Sequence, residues 1–205
     1  MTTLIFVRHG ETEHNVHGLI SSAHPGPGLN ANGREQARRL AEELSSLSTD
    51  RFYTSPLLRA RETANVLVGQ RGIVPIISPA LRESGVGLLE GRGDAAAFDR
   101  YHEAWDRWLC GQALDLPLGP EGETGEAVLA RMLSVIEGAC GADPDGTVVL
   151  VSHAGILHFT LSLLLTNLGA VRGQLMPIPN TGVIVALQDK HGLRCKEWCG
   201  VPMPG

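Results

Sequence analysis

The first stretch that carries chemistry is Arg8-His9-Gly10, which follows the apolar run Leu4-Ile5-Phe6-Val7. A run rich in branched and aromatic residues reads as a buried strand, and its abrupt end puts a guanidinium and an imidazole at the strand tip. In an open α/β sheet the carboxyl ends of the strands border the ligand crevice. Arg8 and His9 are therefore expected to face a pocket from a rigid support, with Gly10 letting the backbone come close to the ligand. The same logic recurs at Thr147 to Val151, a second buried run that ends in Ser152-His153-Ala154-Gly155. Arg59 falls within a turn of a helix start, where unpaired N–H groups and the helix dipole favour an anion such as phosphate. Neutral imidazole is a nucleophile at physiological pH, and guanidinium groups grip phosphate oxygens with paired N–H donors.

These residues need a scaffold, and the hydrophobic spacing supplies one. Glu11 to Gly28 has no steady period and reads as a loop. Asn30 is a good cap for a helix whose Ala37, Leu40, Ala41, Leu44 and Leu47 recur at helical spacing. Arg51 to Thr54 is a short strand. Ser55-Pro56 then opens a helix that runs on from Leu57 to Val68, with proline in its first turn. Ile73 to Ile77 is a third strand, interrupted by Pro75 and so placed near an edge. Leu81 to Gly93 reads as a glycine-rich loop, Ala95 to Cys110 as a helix, and Gly111 to Thr124 as a second loop before the helix Glu126 to Ala139. On the first of these helices Phe98, Trp105 and Trp108 are expected in the core, not on a ligand platform. After Thr147 to Val151 come a helix from Ile156 to Leu168 and two strands, Thr181 to Leu187 and Leu193 to Trp198, around the turn Asp189-Lys190-His191-Gly192. The tail Gly200 to Gly205 is expected to be mobile. Strands alternating with helices imply a mainly parallel sheet covered on both faces, in one domain spanning residues 1–205.

Four separated stretches, in order, resemble the histidine phosphatase superfamily, the phosphoglycerate-mutase-like enzymes. They are Arg8-His9-Gly10-Glu11-Thr12, Ser55-Pro56-Leu57-Leu58-Arg59-Ala60, Leu81-Arg82-Glu83 and Val151-Ser152-His153-Ala154-Gly155, and the likeness runs from Leu4 to about Leu187. The resemblance implies a three-layer α/β sandwich and a phosphomonoester hydrolase working through phosphohistidine. His9 would attack phosphorus, with Arg8 and Arg59 disfavouring its protonation and gripping phosphate. His153 would stabilise the transferring group, either protonated or through an N–H. Asn15, at the asparagine of the motif Arg-His-Gly-Glu-Thr-x-x-Asn, would add a phosphate contact, though a loop-capping role fits it as well. Glu83 would protonate the leaving alkoxide and then activate water, with Glu90 as the nearby competitor.

The resemblance is incomplete in the loops. His14 stands where relatives carry an aromatic residue, and Val86-Gly87-Leu88-Leu89-Glu90-Gly91 replaces a Phe-Gly-x-Trp-Glu-Gly loop. Gly26 and Asn30 occupy the usual places of an aspartate and a threonine. These changes leave the phosphate machinery in place and leave the leaving group open. Glu123-Thr124 is similar to the family's Gly-Glu-Ser element, although a helix cap at Thr124 accounts for it equally. His14, His17, His24 and His158 match no catalytic position. Arg61 reads as solvated, and Arg82 and Arg92 as residues that could border the pocket.

Composition bounds the rest. A net charge of −5 over 205 residues argues against a nucleic-acid or membrane-surface binder, so any anion site must be locally basic. The apolar run ahead of Arg8 is too short for a signal peptide, and Ile156 to Leu165 is about half a membrane span, which reads as cytoplasmic. Four dispersed cysteines form no disulfide framework, and Cys195 and Cys199 lack a second pair to complete a zinc site. The expectation is a metal-independent phosphomonoesterase of the histidine acid phosphatase type, without a cofactor, acting on a small phosphorylated metabolite. A phosphoglycerate-mutase-type phosphotransferase and a low-activity phosphate-binding regulatory protein are the rivals. The mutases' longer segment between acid and second histidine, and their Ala-His-Gly order, favour hydrolysis here. Oligomeric state is not legible.

Overall fold

Leu4 and Phe6 point to one face of the first strand and Ile5 and Val7 to the other, and both sets are buried. A strand apolar on both faces must lie inside a sheet covered on both sides. The computed structural model, which describes residues 1–69, 71–169 and 174–204, places it so. In chain order the elements are β1 (Thr2–Arg8), α1 (Glu13–Val16), α2 (Ala31–Glu43), β2 (Arg51–Thr54), α3 (Leu58–Val68), β3 (Ile76–Ile77), α4 (Ala95–Leu109), α5 (Gly125–Ala142), β4 (Thr147–Ser152), α6 (Ala154–Leu164), β5 (Val183–Asp189), β6 (Gly192–Trp198) and β7 (Val201–Pro202). They form an α/β fold around one sheet of order β3-β2-β4-β1-β5-β6-β7. The strands β3, β2, β4 and β1 run parallel, and β5, β6 and β7 continue the sheet antiparallel.

The two faces have separate cores. Leu4, Phe6, Val148 and Leu150 pack with Trp108, Met132, Ile136, Leu157 and Phe159 beneath α4, α5 and α6. On the other side Ile5, Val7, Val149 and Val151 meet Leu40 of α2 and Ala60, Ala64 and Leu67 of α3. Such double-sided burial holds the central strands rigid, and with them whatever leaves their carboxyl ends.

Several boundaries differ from the sequence reading. Inside the expected loop Glu11 to Gly28, Thr12 and Asn15 form a reciprocal capping box around the single turn of α1. Ser55 and Pro56 precede the helix, whose cap is Leu57, because the Ser55 hydroxyl is spent accepting the Leu57 amide. The third strand shrinks to two residues at the sheet edge, as Pro75 demands. The segment Leu81 to Gly93 is bounded and interrupted by 3₁₀ turns at Pro79–Leu81 and Gly87–Leu89. The tail is not free where it is described, since Val201 and Pro202 pair with β6 and the Met203 amide donates to the Lys196 carbonyl at 2.9 Å. Gly205 lies outside the described residues.

Candidate active site

Parallel pairing puts Arg8 opposite Ser152, so His9 and His153 leave the sheet at the same level on adjacent strands. Their ring centroids are 5.1 Å apart, about one strand spacing. Thr54 is level with Val151 on the other side, which brings Ser55 and then Arg59 to the same end of the sheet. The topology therefore assembles residues from distant parts of the chain before any side chain is considered.

The two imidazoles are held by different partners. His9 Nδ1 lies 2.7 Å from the Gly10 carbonyl oxygen, which can only accept, so Nδ1 carries the proton and Nε2 keeps its lone pair. The Nε–H of Arg59 is directed at that lone pair from 3.0 Å and at His153 Nδ1 from 3.2 Å. His153 Nδ1 is then the acceptor, and its Nε2–H donates to the Ser55 hydroxyl at 2.7 Å. Both rings sit well below the ordinary histidine pKa, burial being the main cause and the Arg59 charge the next. Burial and the Arg59 charge thus disfavour protonation of His153, and the N–H that it presents is turned to Ser55.

Arg8, His9, Asn15, Arg59 and Glu83 line one cavity of about 390 Å³. His153 is completely buried and stands behind that surface, reached through Arg59. Arg8 donates to the Ile178 carbonyl at 2.7 Å, while its Nε and the Nη1 of Arg59 have no hydrogen-bond partner among the described residues. Glu83 stands at the start of α6. Its Oε1 accepts the amides of Ser84 and Ile156, both at 2.8 Å, and its Oε2 accepts that of Gly155 at 3.0 Å. Asn15 lines the cavity, and its carbonyl oxygen accepts the Thr12 amide in the capping box of α1.

Other expectations sort themselves. Glu90 does not line the cavity; it accepts from the Ser22 amide and hydroxyl, and so pins the first loop. Arg82 pairs with Glu123 and Arg92 with Asp94, and neither borders the cavity. Thr124 caps α5. An added Cβ on Gly10 would lie 2.5 Å from the Gly33 carbonyl oxygen, so glycine is required where the strand tip crosses α2. Phe98 packs against the core as expected and also lines the cavity, as do Tyr101 and His14. Phe98 and Tyr101 are three residues apart and share a helix face; that spacing was a usable signal. Burial, with the Glu83 charge nearby, pushes the Tyr101 phenol above its ordinary pKa. Ser55 and Asn180, which donates to the His9 carbonyl at 3.2 Å, were not foreseen. Among the described residues no group of three or more His, Cys, Asp or Glu is placed to hold a metal ion, and no helix is long and apolar enough to cross a membrane.

Fold and site together define a protein of the phosphoglycerate-mutase-like class. Residues 4–200 match the histidine phosphatase superfamily (branch 1), and the chain belongs to that superfamily. A probable phosphoglycerate mutase GpmB from Cronobacter sakazakii is 31% identical over 165 residues, covering 80% of this chain and 75% of its own. A mycobacterial glucosyl-3-phosphoglycerate phosphatase solved with VO3 superposes with a TM-score of 0.82 at 26% identity, over 96% of this chain and 98% of that one. A phosphoserine phosphatase from Entamoeba histolytica, solved with 3-phosphoglyceric acid, gives 0.77 at 25% identity over 97% of each chain.

Proposed function

We propose that the chain is one catalytic domain that hydrolyses a small phosphorylated metabolite in the cytoplasm, through phosphohistidine and without a metal. The observation that carries this reading is the Nε–H of Arg59 set between His9 Nε2 and His153 Nδ1, with Glu83 in the wall of the same cavity. Arg8, Arg59 and Asn15 hold the phosphate oxygens, displacing Arg59 from the His9 lone pair. His9 Nε2 then attacks phosphorus, forming a P–N bond as the P–O ester bond breaks. The departing alkoxide takes a proton from Glu83. Oε2 is the oxygen suited to hold that proton, since it accepts one amide where Oε1 accepts two. In the second half Glu83 removes a proton from water, the resulting hydroxide attacks phosphorus, the P–N bond breaks, and phosphate leaves with both groups restored.

Hydrolysis is favoured over transfer by the charge of the cavity. A mutase must hold a second anionic group of its substrate or bisphosphorylated cofactor. Here Arg8 and Arg59 are the only guanidinium or ammonium groups lining the cavity among the described residues. The test is to quench the enzyme during turnover of a labelled phosphomonoester and look for acid-labile, base-stable label on His9. Phosphate release should far exceed transfer to a phosphoglycerate and persist in a chelator. Label retained in His9→Ala, or transfer exceeding release, would overturn the reading.

A further inference from the structure

Arg131 of α5 lines no part of the cavity and belongs to none of the motifs above. It is 11% exposed, and every arm of its guanidinium is engaged. Nε donates to Glu123 Oε1 at 2.8 Å and Nη2 to Oε2 at 2.9 Å. The remaining donors reach backbone carbonyls, Nη1 those of Ala80 and Arg82, the latter at 2.7 Å, and Nη2 that of Glu83 at 3.3 Å. Glu123 completes the arrangement by accepting from Arg82 Nη2 at 2.7 Å and from the Gly85 amide at 3.2 Å. The main chain is thus tied to one ion pair before, at and after Glu83. Burial pulls the Arg131 pKa down and Glu123 opposes that shift, while against burial the Arg131 guanidinium holds the Glu123 carboxyl below its usual range.

A buried ion pair adds little to stability over apolar packing of the same volume, because desolvation offsets its attraction. What it fixes is geometry. Glu83 sits in a segment with glycines at 85, 87 and 91 and, apart from short 3₁₀ turns, no regular structure of its own. Its carboxylate must nevertheless meet the α6 amides from one direction only. A guanidinium fork can hold one carboxylate and three carbonyls together in a plane, whereas an ammonium offers a single nitrogen.

We propose that the Arg131–Glu123 pair is a positioning device for Glu83, setting the reach of its carboxyl to the leaving-group oxygen. This rests on the reading of Glu83 as the proton donor. A group displaced by about 1 Å loses on the order of 100-fold in rate. The loss should depend on the ester, since an alkoxide needs the proton and a nitrophenolate leaves without it.

The experiment measures kcat/KM, which reports the steps up to phosphoryl transfer onto His9 and excludes the later water step that Glu83 also serves, for glycerol phosphate and p-nitrophenyl phosphate in the wild type, Glu83→Gln, Arg131→Lys and Glu123→Gln. Glu83→Gln should lose on the order of 100-fold more on the alkyl than on the aryl ester. Arg131→Lys should lose in the same direction, by roughly 10-fold in kcat/KM on the alkyl ester. The isosteric Glu123→Gln is read in its place if the lysine variant does not fold. Equal losses on both esters in the folded clamp variants, beside a selective loss in Glu83→Gln, would overturn the positioning role alone. Equal losses in Glu83→Gln itself would overturn the proton-donor reading, and the positioning role with it.

Discussion

Glu83 and Gly155 stand at a separation that only glycine permits, for an ideal Cβ on Gly155 would lie 2.7 Å from Glu83 Oε1 and 3.0 Å from its carboxyl carbon. The contact lets the carboxylate take the free amides of Gly155 and Ile156 in the first turn of α6, two and three residues beyond His153. Gly155→Ala should therefore push the carboxyl off the helix while leaving the fold intact, since alanine is favoured over glycine in a helix by about 1 kcal/mol. The expected outcome is an unchanged or slightly higher melting temperature with kcat on an alkyl phosphate reduced on the order of 100-fold. An alanine variant with full kcat would show that this seat is not needed.

Two neutral buried imidazoles make stability depend on acid. Unfolded, His9 and His153 titrate near 6.5, and folded they remain unprotonated well below it. Between those values the unfolded chain binds more protons, so their contribution is complete above pH 6.5 and is lost as the pH falls. Each imidazole should add a slope of about 1.4 kcal/mol per pH unit below that point. Urea unfolding at pH 7, 6 and 5 measures it, and His153→Asn should remove roughly half of the pair's share. An identical slope in that variant would contradict the assignment. Because His9 stays neutral, its protonation should not limit kcat/KM between pH 8 and 6.

The strand tips were legible because chemistry interrupts an apolar run there, as at Val7-Arg8-His9 and Val151-Ser152-His153. Glu83 was reachable only through its motif, since nothing local distinguishes it from Glu90, which turned out to pin Ser22. Ser55 was read as part of a helix start, and its contact with His153 spans 98 residues of sequence. No periodicity encodes such a contact; it follows from β2 and β4 being neighbours in the sheet. Phe98 was assigned to the core and Tyr101 was not singled out, because an aromatic helix face looks the same whether it covers a sheet or borders a cavity. The tail was read as free because two residues of strand ending in proline carry almost no pattern, yet an edge tolerates them.

Ser55 should matter to turnover through His153, and to stability also through the Leu57 amide that its hydroxyl accepts. Its hydroxyl accepts the Nε2–H that fixes the tautomer, leaving Nδ1 to receive Arg59. Ser55→Ala strands two buried N–H groups, those of His153 and Leu57, at a cost of about 1–3 kcal/mol in stability for each. It also frees the ring to adopt the other tautomer, which would turn an N–H toward Arg59. A loss of roughly 10-fold or more in kcat is expected, and Ser55→Thr, which keeps the hydroxyl, should recover most of it if the extra methyl is accommodated. Equal activity in the serine and alanine proteins would sever Ser55 from the site.

Gly10→Ala tests whether the nucleophile is placed by backbone packing. The added Cβ would meet the Gly33 carbonyl oxygen at 2.5 Å and its carbon at 3.0 Å, and both are main-chain atoms that cannot swing aside. The strand tip must then lift from α2, at a cost of about 1–3 kcal/mol for the overpacked contact. The Gly10 carbonyl accepts His9 Nδ1–H, so the shift moves the imidazole and loosens its tautomer. Activity should fall further than stability explains, with a large drop in kcat persisting at a temperature where the variant is fully folded. Calorimetry and turnover measured on the same sample separate the two effects. A variant that is destabilised yet turns over normally when folded would mean that His9 keeps its place without this contact.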